Sequence, residues 1–166
     1  MDLIEKAKKV RLLVTDCDGV LTDGRLYFSA DGEKMKVFHA RDGQGIASWH
    51  AAGYRMGIIS GRGAADIIQR RADELGIDYV YTSSKDKVAD LESIIADAKV
   101  TLDEVAYIGD DIGDVAVMKI VGFPIAVADA AVEAINAAVF VTEANGGHGA
   151  VRQVTDLLLD SKQQAS

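Results

Sequence analysis

Short apolar runs alternate with longer amphipathic stretches along this chain. Residues 10–16, opening on an apolar run to Val14 that is broken only by Arg11, and residues 54–60, 77–81, 105–108, 123–127 and 139–142 read as strands. Continuous apolar runs of this kind mark strands buried on both faces of a parallel sheet. Between them fall predicted helices over residues 44–52, 64–75, 114–121 and 132–137, one led in by residues 83–87 and ending near Ala98, and a last one from Ala150 to about Leu159. Gly53 and Gly76 stand where two of these helices stop. The alternation predicts an α/β fold, a doubly wound, Rossmann-like parallel sheet covered by helices on both faces. Two features break the rhythm. Residues 25–29 and 34–38 are strand-like runs joined by Ala30-Asp31-Gly32-Glu33, and Asp-Gly between such runs predicts a β-hairpin. Pro124, the only proline, lacks a backbone donor, which puts the fifth strand near a sheet edge. Residues 1–9 read as a lead-in segment and residues 161–166 as a frayed end.

With 166 residues, 49% of them apolar, the chain has the length of one domain with a sizeable core. Its 26 acidic and 18 basic residues leave a net charge of −8, which argues against a nucleic-acid-binding face. No apolar stretch approaches the length of a membrane span. The charged first residues lack the apolar core of a signal peptide. The single Cys17 excludes an intrachain disulfide framework and suits a reducing cytoplasm; it reads as a small buried hydrophobe. These bounds predict a cytoplasmic protein that binds neither nucleic acid nor membrane.

The strand ends carry the chemistry. The first strand runs into Asp16-Cys17-Asp18-Gly19-Val20-Leu21-Thr22-Asp23. Open α/β sheets place their ligands at the carboxyl ends of strands, and Gly19 allows a sharp turn there. An Asp pair after a strand is also ordinary turn chemistry, because Asp side chains bond nearby backbone N–H groups. Its company changes the picture. Ser60 closes the second strand, Lys87 follows the third, and Asp110, Asp111 and Asp114 follow the fourth. Alone, Ser60 reads as a helix cap, Lys87 as a solvated lysine, and the acids as partners of a helix dipole. In a parallel sheet, however, all these ends share one edge. Three acids there exceed what capping needs, and their mutual repulsion asks for a cation. The whole set suits phosphoryl transfer. One carboxylate can attack phosphorus and form an aspartyl-phosphate, and another two residues on can move the proton. Hard oxygens can hold Mg²⁺ against the phosphate's charge, while a hydroxyl and an ammonium bind its other oxygens.

These residues resemble the haloacid dehalogenase superfamily, with Asp16-x-Asp18-Gly-Val-Leu-Thr22, Ser60, Lys87 and Gly109-Asp110-Asp111-x-x-Asp114 as its motifs. The resemblance implies that Asp16 is the nucleophile and Asp18 the general acid/base, and that Ser60 and Lys87 bind phosphate. It implies Mg²⁺ held by Asp16, the Asp18 carbonyl and Asp110, with Asp111 and Asp114 supporting those ligands from behind. A narrower likeness covers residues 9–159. Asp18-Gly-Val-Leu-Thr-Asp-Gly24, the hairpin, His39-Ala-Arg-Asp-Gly43, Ser60-Gly-Arg62, Arg70-Arg71-Ala72 and Gly146-Gly-x-Gly-Ala150-x-Arg152 resemble the 3-deoxy-D-manno-octulosonate 8-phosphate (KDO 8-phosphate) phosphatases. Members of that family lack a cap domain and form homotetramers through their hairpins, a neighbour helping to close each site. Only 41 residues separate Asp18 from Ser60, and the hairpin takes many of them, which leaves no room for a cap. The resemblance thus implies one capless phosphatase domain with a hairpin flap at residues 25–38, acting in lipopolysaccharide precursor synthesis.

A sugar acid phosphate carries two anionic ends. With Mg²⁺ and Lys87 on the phosphate, the carboxylate needs a second cationic clamp, and arginine suits carboxylates through paired N–H bonds. Arg62 stands just after Ser60, and Arg71 of a neighbouring subunit is the second candidate. Between Arg62 and Arg70-Arg71 this chain is one residue longer than the family pattern, a rotation of about 100° on a helix. Counting back from Gly76 favours Arg71. Relatives acting on nine-carbon sugar acids carry Glu at the position of Arg62, so Arg62 favours the eight-carbon acid. His39, Arg41, Asp42 and Gly43 are the expected lining of the sugar pocket, with hairpin packing the alternative for His39. The glycine-rich residues 145–149 read as a mobile loop near the site, or as a turn before the last helix. Two other classes compete. A phospho-acceptor signalling domain needs an Asp at the tip of the third strand, where Tyr81-Thr82-Ser83 stands. A non-catalytic assembly relative is opposed by the presence of both Asp16 and Asp18.

Overall fold

The apolar runs form strands because each is buried from both sides, and the amphipathic stretches supply the cover. The computed structural model describes residues 2–163. In chain order the elements are α1 (Leu3–Lys9), β1 (Leu12–Thr15), β2 (Tyr27–Ser29), β3 (Gly32–Met35), α2 (Ala40–Ala51), β4 (Arg55–Ile59), α3 (Ala65–Leu75), β5 (Tyr79–Tyr81), α4 (Lys87–Ala98), β6 (Val105–Gly109), α5 (Val115–Met118), β7 (Phe123–Ala126), α6 (Val132–Ala137), β8 (Phe140–Val141) and α7 (Ala150–Gln163). Six strands make one parallel sheet in the order β5-β4-β1-β6-β7-β8. β1 pairs with β4 on one side and β6 on the other. The strand order therefore reverses at β1, and the crevice at such a switch point is where doubly wound sheets bind ligands.

Successive residues of β1 serve opposite faces. Leu13 joins Met56, Ile58 and Ile108 against Trp49 of α2, Ile68 of α3 and Val154 and Leu158 of α7. Leu12 and Val14 join Ile59, Val105 and Tyr107 against Leu91 and Ile94 of α4, Val117 of α5 and Ala134 of α6. Each large side chain buried this way contributes about 1.5–3 kcal/mol, so the two layers hold the strand ends in place.

Departures from the predicted elements have local causes. The expected lead-in is a helix, α1, capped by the Asp2 carboxylate, which accepts from Leu3 N at 2.7 Å. Lys162 of α7 donates to the carbonyls of Lys8 and Val10 at 2.9 and 2.6 Å. That tie carries α7 to Gln163, so residues 161–163 are helical; residues 164–166 of the expected frayed end lie outside the described residues. α2 starts at Ala40, earlier than predicted, because His39 caps it: its Nδ1 accepts from Arg41 N at 3.1 Å. α5 is shorter than predicted: Ile112–Asp114 forms a separate 3₁₀ turn before it, and after Met118 the chain closes in a turn in which Ile120 N and Val121 N donate to the Val117 carbonyl at 3.1 and 3.3 Å. Pro124 sits one strand in from the edge, its carbonyl accepting from Val139 N at 2.9 Å.

The hairpin β2–β3 is a sheet of its own, turning where Ser29 pairs with Gly32. On it and its flanks, Leu26, Phe28, Met35 and Val37 are all exposed.

The loop expected to be mobile is instead a brace. Gly147 N donates to the Val20 carbonyl, and Gly146 N to Asp129 Oδ1, both at 2.9 Å. A Cβ on Gly146 would overlap the Gly19 carbonyl oxygen, so the loop lies backbone to backbone against the Asp16–Asp23 turn. Gly146→Ala should therefore destabilise the protein by about 1–3 kcal/mol or more and lower activity with it. Urea unfolding measures this; an unchanged midpoint would mean the loop is free to move aside.

Candidate active site

The carboxyl ends of β1, β4 and β6 and the start of α4 meet around an open cavity of about 320 Å³, lined by Asp16, Asp18, Arg62, Lys87, Asp110, Asp111 and Asp114 together with glycines. Gly19 has φ +88°, and a Cβ there would overlap the Asp110 carboxylate. The β1 turn thus needs glycine twice over, for its backbone and for the approach of Asp110. Asp16 leaves the end of β1 with Oδ1 accepting from Cys17 N at 2.6 Å and Oδ2 3.0 Å from Lys87 Nζ. Ser60 is buried at the end of β4, and its hydroxyl accepts from Arg62 N at 3.3 Å, so it also makes the turn that aims Arg62. Lys87 opens α4 behind the Asp86 cap, which accepts from Val88 N and Ala89 N.

Asp16, Asp110 and Asp114 hold carboxylate oxygens within 4.8 Å of one another. They are not equivalent. Asp114 is fully buried and saturated. Its Oδ1 accepts from Tyr107 Oη at 2.6 Å and Lys87 Nζ at 2.8 Å, and its Oδ2 from the backbone N of Asp110 at 3.0 Å and of Asp111 at 3.3 Å. Asp111 is exposed and caps the 3₁₀ turn, accepting from Ile112 N at 2.8 Å. Asp110 Oδ1 is buried and has no partner among the described residues. That open, hard oxygen beside Asp16 fits a divalent cation.

The crowding shifts the charges. Burial, then repulsion from Asp114, raises Asp16 to about 7 against the pull of Lys87. Burial, then Asp16 and Asp114, raises Asp110 to about 8. Burial opposes the charge on Lys87, but Asp16 and Asp114 outweigh it and keep the ammonium above its ordinary range. Burial pushes the Cys17 thiol up, so it stays a neutral core residue.

Three residues of this region escaped the sequence reading. Tyr107 lies in an apolar strand, where a buried hydroxyl must find a partner; that was its only signal. Lys36 follows β3, and its ammonium donates to Asp18 Oδ1 at 2.5 Å and to Glu33 Oε1 at 2.8 Å, with the side chain 1% exposed. Burial opposes this charge too, but the bonds to Asp18 and Glu33 hold it above the usual lysine range. Glu33 Oε2 also lies 3.8 Å from Arg62 Nη2 on the rim. A buried lysine bonded across the hairpin has no sequence signature.

The expected sugar-pocket residues lie elsewhere in this chain. His39 is a helix cap. Asp42 is buried with Oδ1 accepting from Arg152 N at 2.9 Å, so its carboxylate binds the first turn of α7 and does not line the cavity. Gly43 makes room for the Arg71 guanidinium: a Cβ there would come within 2.7 Å of Nη2. Arg71 lies over the Phe38 ring at 5.6 Å and pairs with Glu74 at 2.9 Å. Arg41 is exposed. α2 and α3 carry these residues on a face separate from the cavity.

Fold and site together define a hydrolase of the haloacid dehalogenase-like class, and the model of that family matches residues 77–154. The 3-deoxy-D-manno-octulosonate 8-phosphate phosphatase of Yersinia pestis is 42% identical over 158 residues, covering 95% of this chain and 84% of its own. The crystal structure of the phosphatase of that name from Moraxella catarrhalis, in complex with magnesium ion, phosphate ion and KDO, matches with a TM-score of 0.93 and 33% identity over 98% of this chain and 92% of its own. The cobalt-bound form of the Haemophilus influenzae protein matches with a TM-score of 0.92 and 37% identity, covering 96% and 93%. The chain belongs to the family of 3-deoxy-D-manno-octulosonate 8-phosphate phosphatases.

The upward shifts have a stability consequence. Asp16 and Asp110 keep protons when folded that the unfolded chain loses in the ordinary carboxylate range. Without a cation, stability should fall as pH rises from about 4 to about 8. A divalent cation relieves repulsion only between ionised groups. Adding Mg²⁺ should raise the thermal unfolding midpoint more at about pH 8 than at about pH 5; equal rises would place the cation elsewhere.

Proposed function

We propose that this chain is a Mg²⁺-dependent phosphatase that hydrolyses KDO 8-phosphate to the free sugar acid and phosphate on a single capless domain. The carrying observation is the convergence of Asp16, Asp18, Lys87 and Asp110 on one cavity in a member of a family named for that activity. Asp16 Oδ2, held by Lys87, attacks phosphorus. Asp18 gives its proton to the leaving sugar oxygen as the P–O bond breaks, leaving an aspartyl-phosphate on Asp16. Asp18 then takes a proton from water, whose oxygen attacks phosphorus and frees Asp16 and phosphate. Ser60 and Lys87 bind non-bridging oxygens. Asp16, the Asp18 carbonyl and Asp110 are the residues that would hold Mg²⁺, which when bound supplies charge neutralisation of the phosphate. Asp111 and Asp114 orient that set, Asp114 through four hydrogen bonds. Asp16→Asn should abolish turnover while leaving the fold intact, and excess chelator should stop the wild type. Near-normal turnover of a freshly purified Asp16→Asn sample would remove Asp16 as nucleophile.

Arg62 pairs with the substrate carboxylate in this reading. The Arg62 side chain is 44% exposed on the rim, and bound substrate would desolvate its pair with the carboxylate, whose removal costs affinity. Arg62→Ala should cut kcat/KM for KDO 8-phosphate accordingly and leave p-nitrophenyl phosphate nearly unchanged. Equal losses would assign Arg62 to the phosphate or the fold, and a wild-type preference for a nine-carbon sugar acid phosphate would replace the substrate but keep the mechanism.

We infer a cytoplasmic homotetramer acting in lipopolysaccharide precursor synthesis. The apolar side chains of the hairpin are exposed in one chain, and an isolated hairpin is marginal in water. Packed against copies of itself it is covered. In such an assembly Arg71 serves a neighbour's site rather than its own. Light scattering at micromolar concentration should give four subunits; a monomer would remove both the assembly and the role of Arg71.

A further inference from the structure

We infer that Lys36 is a positioning residue for the proton transfer carried by Asp18, so that the hairpin is part of the catalytic machinery. The inference rests on the reading of Asp18 as general acid/base.

Lysine is almost never fully buried unless it is paired. Lys36 is buried and doubly paired, to Asp18 Oδ1 at 2.5 Å and Glu33 Oε1 at 2.8 Å. Its neighbour Lys34 keeps its side chain about half exposed. β3 ends at Met35, and just past that end the chain turns Lys36 inward onto Asp18. The two oxygens of Asp18 are then unlike. Oδ1 is held by Lys36, while Oδ2 is buried without a partner among the described residues. Asp18 itself lines the cavity.

An unheld carboxyl group can rotate and present either oxygen. Fixing one of them fixes the plane of the group, and with it the place from which Asp18 exchanges a proton with the leaving oxygen and then with water. Such placement matters because a misplacement of about 1 Å can cost about 100-fold in rate. Glu33 completes the device. It gives the buried ammonium a second acceptor, and through Oε2 it approaches Arg62 at 3.8 Å. Alternating charges thus run from the proton-transferring group, through the hairpin, to the rim. A pair that merely fastened the hairpin to the domain would not need to end on the acid/base group.

The test separates positioning from fastening by the leaving group. Phenyl phosphate expels a basic oxygen that needs a proton as its bond breaks; p-nitrophenyl phosphate expels one that does not. Neither carries a carboxylate, so Arg62 recognition and the identity of the sugar do not enter. Lys36→Gln should lower kcat/KM for phenyl phosphate by about 100-fold and for p-nitrophenyl phosphate by only about threefold. The ratio is measured in one sample, so it does not depend on how much of that sample is folded. Lys36→Arg should recover most of it, and Glu33→Gln should shift it the same way but less. Should Lys36→Gln not fold, Glu33→Gln reads the same ratio. Adding Lys36→Gln to Asp18→Asn should bring no further loss, because both act on one step. Equal losses on the two substrates, or additive losses with Asp18→Asn, would reduce Lys36 to a fastener. If Asp18→Asn itself left the ratio unchanged, the acid/base assignment would fall and the role of Lys36 with it, whereas a different preferred sugar would touch neither.

Discussion

Repulsion among Asp16, Asp110 and Asp114, whose oxygens lie within 4.8 Å of one another, is the constraint that shapes the rest of this structure. Like charges at that range in a partly desolvated site disfavour their own ionisation. The protein meets the constraint unevenly. Asp114 is satisfied by Tyr107, Lys87 and two backbone amides, whereas Asp110 keeps a buried oxygen open. Lys87 bonds both Asp16 and Asp114 and sets a positive charge between them. The imbalance is what makes the edge of the sheet receptive to a cation and a phosphate.

Holding such a cluster takes a rigid frame. Leu12, Leu13 and Val14 anchor β1 from both faces of the sheet, so Asp16 follows from a strand with no freedom to shift. The turn after it is clamped from behind by Gly146 and Gly147. Asp42, far from the cavity, ties α2 to the first turn of α7, directly after that clamp. Residues outside the cavity thus fix the positions of those that line it. The same packing explains why backbone glycines, rather than side chains, make the closest approaches around the β1 turn.

The hairpin has two faces with different duties. Its inner side brings Lys36 and Glu33 to Asp18 and Arg62. Its outer residues, Phe28 above all at 66% exposed, are apolar and uncovered in one chain. Charge on the inside and apolar surface on the outside let one short element serve chemistry and association together. The face of α2 and α3 around Arg71 and Phe38 is likewise set apart from the cavity of its own chain.

The α/β class, the strand order of the chemistry and the placement of Asp16, Asp18, Ser60, Lys87 and Asp110 at one sheet edge were legible in the sequence. They depend on local pattern: apolar runs make buried strands, and parallel strands bring all their carboxyl ends together. The family could be read for the same reason, since its motifs sit at those ends. What tertiary structure alone decided depends on contacts between residues distant in sequence. Nothing local distinguishes Lys36 from Lys34, yet one is buried on Asp18 and the other is about half exposed beside Asp31. Asp42 looked like a pocket residue until α7 came to rest on it, more than a hundred residues later. The glycine-rich loop looked mobile because glycine frees a chain, but here its lack of a side chain lets two backbones touch and fastens them. Periodicity specifies which elements form and which edge they share; only packing specifies which side chains are buried against which partners, because burial is set by neighbours the local sequence does not contain.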